Sequence, residues 1–162
     1  MNEHDIDTKF MKEVIELARA EVEKNGLPFA TIIVNSENKV VGRAVNQVKH
    51  SFDITDHAEL IAVRQVTTAA KITDLKGHKV YIIGHPCSMC LSALMMAKPD
   101  KIYFAASLAE KDAVLKSKDR IDLYAEIVKP FDQRVVPMEQ MTILRDSALA
   151  VYKAWEQKRS VR

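Results

Sequence analysis

Apolar side chains recur at helical spacing near the start of the chain. Phe10, Met11, Val14, Ile15, Ala18 and Val22 share one stripe, so residues 7–25 read as an amphipathic helix. Asp7 or Thr8 suits its start and Gly26 its end. The period then changes. Phe29–Val34 (FATIIV) is a nearly unbroken β-rich run, NSENK is a turn, and Val40–Val45 (VVGRAV) reads as the returning strand of a hairpin. Residues 46–56 are polar and irregular. His57–Ala70 turns helical again, and Lys79–Gly84 (KVYIIG) reads as a buried strand by length and composition. Cys87–Ala97 is helical, with Pro86 favouring a helix start, and Lys101–Ala106 (KIYFAA) is a further strand. The order α-β-β-α-β-α-β predicts a layered sheet with helices on both faces.

Beyond Ala106 the pattern weakens. SLAEKDAVLKSKDR is charged and reads as partly helical. YAEIVKPFDQRVVP holds two prolines and reads as extended or loop-like. Residues 138–158 read as one or two terminal helices, with Leu144, Leu149, Tyr152 and Trp155 as packing residues.

Composition narrows the class. A chain of 162 residues suits one domain. A domain of that size buries about 68–70% of its unfolded surface, so no staple is needed for stability. The 48% apolar and 28% charged fractions are ordinary globular values. A net charge of +2 falls well short of the basic stripe of a nucleic-acid binder. The segment MNEHDIDTKF is acidic and lacks the apolar core of a signal peptide. No run approaches the length of a membrane span. A cytoplasmic protein without a membrane partner is expected. In that compartment the two cysteines, Cys87 and Cys90, favour metal or redox chemistry over a structural disulfide.

The cysteines have company. Upstream stands DHAEL, so the chain carries His57-Ala58-Glu59 followed by Pro86-Cys87-x-x-Cys90. Each motif sits at the expected start of a helix. Alone, a Cys-x-x-Cys is as often redox or structural, a helix-start His is more often a cap, and a helical Glu is usually solvated. Together they form the signature of zinc deaminases, His-x-Glu with Pro-Cys-x-x-Cys. Zinc accepts imidazole nitrogen and thiolate sulfur in a tetrahedron. His57, Cys87 and Cys90 supply three ligands, which leaves a fourth position for water, as in catalytic rather than closed structural sites. Cysteines three apart share a helix face, and a helix N-terminus favours thiolate. Glu59, two residues past the histidine, is placed to move protons between water, a ring nitrogen and a leaving amine.

With these residues the chain resembles the cytidine/deoxycytidylate deaminase superfamily, and within it the small zinc-dependent bacterial guanine deaminases. The resemblance runs over roughly residues 10–158. It is carried by LPFATIIVN, GRAVNQV, DITDHAELIAVR, PCSMCLSALMMAKPDKIYFAA and the tail YAEIVKPFDQRVVP. It implies a three-layer α/β/α sandwich around a five-stranded mixed sheet, spanning residues 1–162 as one zinc deaminase domain. Residues 107–162 would form a C-terminal extension. In guanine deaminases of this type that segment covers the neighbour's active site, so the resemblance implies a homodimer.

It also implies one Zn2+ per chain, held by His57, Cys87 and Cys90, with Glu59 catalytic. Asn46, Phe29, Ala58 and Asp119 are the implied substrate-binding residues, although placing Asp119 needs a gap in the alignment. On local sequence Asn46 also suits a turn and Phe29 a core position. Two departures bear on substrate. His85 precedes Pro86 where guanine deaminases usually carry Glu, and the end KRSVR lacks their terminal aromatic. His85 falls outside the ligand spacing and is given no role.

The expected activity is therefore an aminohydrolase acting on a small nucleobase, guanine to xanthine and ammonia. The alternatives are another aminated heterocycle or nucleoside (guanosine, cytosine, a triazine) or adenosine in tRNA. The last needs phosphate contacts that the near-neutral charge does not favour. A non-enzymatic zinc or redox protein would leave Glu59 without a purpose.

Overall fold

Four β-rich runs pair into one mixed sheet in the computed structural model, which describes residues 3–115 and 121–160. The strands are β1 (Ala30–Asn35), β2 (Val40–Val45), β3 (His78–Gly84) and β4 (Lys101–Ala106). Their spatial order is β2-β1-β3-β4. β1 runs antiparallel to both β2 and β3, and β3 runs parallel to β4. The helices are α1 (Glu3–Glu23), α2 (Val48–Ser51), α3 (Ala58–Ala70), α4 (Ser88–Ala97), α5 (Leu108–Leu115), α6 (Leu123–Val128) and α7 (Arg145–Ser160).

Strand alternation sorts the core into two faces. Ile32, Val34 and Tyr81 pack with Phe10, Val14 and Ala18 of α1. Ile33, Val80 and Ile82 point the other way, against Ala62 and Val66 of α3 and Leu94 and Ala97 of α4. Three layers result, as expected. Gly42 is required for the second face: a Cβ there would stand 2.8 Å from Val66 Cγ2 and 3.1 Å from the Ala62 carbonyl oxygen. A bare backbone on β2 lets α3 approach closely.

The expected fifth strand is absent among the described residues, and the sheet has four. After β4 the chain turns directly into α5. Ser107 and Glu110 cap its start reciprocally, with Ser107 N–H and Oγ–H donating to Glu110 Oε2 at 2.9 and 2.6 Å. The segment starting at Tyr124, expected to be extended, opens as α6 because Asp122 caps it, accepting from Ala125 N–H at 3.1 Å.

The chain separates into two compact units, Met1–Arg120 and Ile121–Arg162. The first holds the sheet and α1–α5. The second holds α6, α7 and two short 3-10 turns, and its Leu144, Leu149, Tyr152 and Trp155 are exposed. Among the described residues no helix is long and apolar enough to cross a membrane.

α1 starts at Glu3, four residues before the expected caps, and Asp7 lies inside it. Asp7 does other work. Its carboxylate accepts from Tyr81 and Tyr103 hydroxyls, both at 2.5 Å, and from Lys79 Nζ at 3.3 Å. The two tyrosine rings stack at 5.1 Å. At the other end Asn25, with φ 64°, takes the left-handed position, and Gly26 N–H closes on the Glu21 carbonyl at 2.9 Å.

Burial raises the pKa of Asp7, but the bonds from Tyr103, Tyr81 and Lys79 outweigh it and hold the carboxyl below its ordinary value. A depressed carboxyl contributes its full stability above the unfolded pKa of about 3.9 and loses it as pH falls through the folded value. We expect Asp7→Asn to cost about 1.5–3 kcal/mol at pH 7. In denaturant unfolding that deficit should shrink below about pH 4; a deficit that is the same at pH 7 and pH 3 would rule out the charged contact.

Candidate active site

Two helices of the same sheet face begin at the same end of the sheet. His57 is the N-cap residue of α3, and its carbonyl accepts from Ile61 N–H at 3.0 Å. Cys87 is the N-cap residue of α4, and its carbonyl accepts from Leu91 N–H at 2.8 Å. Cys90 stands three residues into the turn. An N-cap side chain and one three residues later converge over the open end of a helix, which brings the two sulfurs together. Neither N-cap side chain caps its own helix.

The three groups meet. His57 Nδ1 lies 3.6 Å from Cys87 Sγ and 3.5 Å from Cys90 Sγ. The potential ligand atoms all lie within 4.8 Å of one another, and no other such group of three or more occurs among the described residues. Zinc–sulfur and zinc–nitrogen bonds of about 2.3 and 2.0–2.1 Å in a tetrahedron place N and S about 3.6 Å apart. The donor set and its spacing therefore fit Zn2+, with His57 binding through Nδ1.

The two cysteines are shifted in opposite directions. Hydrogen bonding from Cys90 is the main force pulling the Cys87 thiol down; burial opposes it, and His57 adds to the fall. Cys90 is pushed up by the same contact with Cys87, by burial and by the charge of Glu59. The pair is poised around one thiolate, the charged form that a metal takes.

Glu59 is 7% exposed, two residues past His57. Burial raises its pKa, outweighing a backbone hydrogen bond that lowers it, and the charge of Cys87 adds to the rise. A carboxyl whose proton affinity is raised by burial suits proton transfer.

These side chains open on a cavity of about 480 Å3, within the range of small-molecule sites. Leu27, Pro28 and Phe29 enter from before β1, Asn46 and Val48 from after β2, and Leu115 from the end of α5, facing His57, Glu59 and Cys87. Asn46 is 6% exposed. Its backbone N–H donates to the Phe29 carbonyl at 3.0 Å, and its Oδ1 accepts from Val48 N–H at 3.0 Å. A carbonyl oxygen must face that N–H, so the amide orientation is fixed and its NH2 carries the donor capacity.

The sequence-expected residues thus divide. His57, Glu59, Cys87, Asn46 and Phe29 line the cavity, and Cys90 completes the metal cluster. Ala58 is wholly buried and is not among the lining residues. Asp119 lies outside the described residues. His85 is not in the cluster: its Nδ1–H donates to the Pro86 carbonyl at 2.9 Å and its ring meets Phe104 edge-on. Leu27, Val48 and Leu115 went unread because an isolated apolar residue has no local signal for lining a cavity rather than a core.

A protein with this donor set, carboxyl and cavity is a zinc-dependent aminohydrolase. Residues 4–106 match the cytidine and deoxycytidylate deaminase zinc-binding region, and the chain belongs to that family. It is 32% identical over 147 residues to guanine deaminase of Bacillus subtilis (strain 168), covering 90% of this chain and 91% of that protein. The X-ray structure of guanine deaminase from Bacillus subtilis superposes with a TM-score of 0.83 at 31% identity, covering 97% of this chain and 95% of that one. A tRNA-specific adenosine deaminase of Aquifex aeolicus (strain VF5) is 32% identical over 97 residues, covering 60% of this chain and 64% of that protein.

Cys90→Ser and His57→Ala are each expected to strip tightly bound zinc, whereas Glu59→Gln keeps it, because Glu59 is not needed as a ligand. Metal content of the purified variants by elemental analysis decides this; zinc lost from Glu59→Gln as well would make the carboxylate a ligand.

Proposed function

We propose that the protein hydrolyses guanine to xanthine and ammonia, with one Zn2+ per chain held by His57, Cys87 and Cys90. The observation that carries this reading is Asn46, held with its NH2 as donor in a cavity that also presents Glu59 and the metal cluster. A purine edge offers ring-nitrogen and carbonyl acceptors to such a donor. The extent of the likeness adds support: the match to the Bacillus guanine deaminase covers 90% of the chain, and the match to the Aquifex tRNA enzyme covers 60%.

Zinc bound there supplies a Lewis acid that makes a water nucleophilic near neutral pH. The chain's own residues do the rest. Phe29, Pro28 and Leu115 form apolar walls for the flat ring. Asn46 fixes its in-plane orientation through the NH2. Glu59 takes the proton released as water adds to the amine-bearing carbon and passes it to the adjacent ring nitrogen. The hydroxyl of the adduct then gives its proton to the same carboxyl, which delivers it to the exocyclic amine as the C–O bond becomes a carbonyl. The new C–O bond remains, the C–N bond breaks and ammonia leaves. The elevated proton affinity of Glu59 serves both directions of transfer.

We further propose a cytoplasmic homodimer in which the C-terminal unit covers the partner's site. Its exposed Phe131, Val136, Ile143, Tyr152 and Trp155 support that reading, since they need an apolar surface to cover them.

Ammonia release measured over guanine, guanosine, adenine, cytosine, isocytosine, ammeline and a tRNA anticodon stem should show guanine far ahead. Turnover of another compound with none on guanine defeats the reading. Glu59→Gln should lose at least about a hundredfold in kcat. Asn46→Asp keeps the acceptor for Val48 N–H but replaces the donor, so KM for guanine should rise steeply; an unchanged KM would remove Asn46 from recognition.

A further inference from the structure

We propose that Lys111 is a positioning residue for the metal site, tying the loop that delivers Cys87 to the helix that walls the substrate cavity. The inference rests on the zinc aminohydrolase reading.

The loop between β3 and α4 is two residues long before Cys87, and one of them is proline, which has no N–H to anchor it. His85 anchors the loop through several contacts. Its N–H donates to the Ala106 carbonyl at 2.8 Å, joining the loop to the end of β4. Its Nδ1–H donates forward to the Pro86 carbonyl at 2.9 Å, and its ring meets the Phe104 ring at 5.1 Å. Its carbonyl, pointing back to the body of the protein, accepts from Lys111 Nζ at 2.8 Å.

Lys111 reaches that carbonyl along a prepared lane. α5 is fixed by the Ser107–Glu110 cap, and Lys111 N–H makes its first helical bond, to the Ser107 carbonyl at 3.0 Å. The lysine stem then crosses Gly84: a Cβ added there would stand 3.4 Å from Lys111 Cδ. The ammonium supplies a charged donor to the loop, and a charge-assisted bond is roughly twice as strong as a neutral one. One turn further, α5 places Leu115 in the cavity wall beside His57, Glu59 and Cys87. A single ammonium thus sets the distance between the metal-bearing loop and the wall of the cavity. His85, which the motif left over, is the receiving half of this brace.

Partners that orient a metal ligand are worth about 10–100-fold in metal affinity or activity. Lys111→Met keeps the stem and removes the ammonium. It should release zinc to a chromogenic chelator about tenfold faster and lower kcat about tenfold. The melting temperature of the metal-free protein should stay close to that of the parent. Lys111→Arg, which retains a charged donor, should recover most of both losses. Lys111→Leu, which also lacks a donor, provides the same comparison if the methionine variant folds poorly. Zinc release and kcat within twofold of the parent overturn the proposal. So does a fall in metal-free stability with zinc release unchanged, which would mark a purely structural lysine. If the parent binds zinc but turns over no base, the function reading fails while the zinc-release comparison still decides the role of Lys111.

Discussion

Two helix N-termini must meet at one end of the sheet for this site to exist, and they meet through residues that serve their own helices poorly. Helix N-caps favour Ser, Thr, Asp and Asn, because their oxygens satisfy the free N–H groups of the first turn. Here the caps are His57 and Cys87, and neither makes a side-chain cap bond. Forgoing a good cap costs about 1 kcal/mol for each helix. The metal cluster is what those two positions hold instead. Stability is given up at the helix starts and recovered where the helices meet the sheet, as Ala62 and Leu94 pack on Ile33, Val80 and Ile82, all almost completely buried.

The dependence runs in both directions. α3 can bring His57 to the cluster only because Gly42 lets it lie against β2, and α4 brings Cys87 there three residues after β3 ends at Gly84. On the opposite face, Asp7 binds Tyr81 of β3 and Tyr103 of β4 to α1. That contact grips the two parallel strands whose ends feed α4 and α5. The same pair of strands therefore positions Cys87, through His85, and Leu115, through the Ser107 cap.

Much of this was legible in the chain. The four strands appear within a residue or so of the expected runs, since alternating or continuous β-rich segments bounded by polar turns are strong local signals. His57, Glu59, Cys87 and Cys90 were legible because their types and spacing carry chemistry that other residues do not share. Helix ends were harder. With four glycines in the chain, the left-handed caps of α3 and α4 fall on Lys71 and Lys98, which carry no stop signal. Asp7 read as a cap because a helix-start Asp normally is one; its partners lie more than seventy residues away. α6 was hidden by the prolines that follow it. The fifth strand came from resemblance rather than from any β-rich run, and the described chain contains none to supply it.

The C-terminal unit poses the remaining physical problem. None of its described side chains is buried, although it carries Phe131, Val135, Val136, Met141, Ile143, Leu144 and Trp155. A unit of about 40 residues is at the lower limit for folding around a core of its own without disulfides, metal or association. It has no disulfide to help, because both cysteines lie in the metal cluster. Its helices are held locally, by the Asp122 cap and by Glu126, which pairs with Lys129 and accepts from Val135 N–H at 2.9 Å. Local bonds of this kind order a segment but do not remove its apolar surface from water. Its exposed apolar side chains are the surface that the proposed dimer would cover.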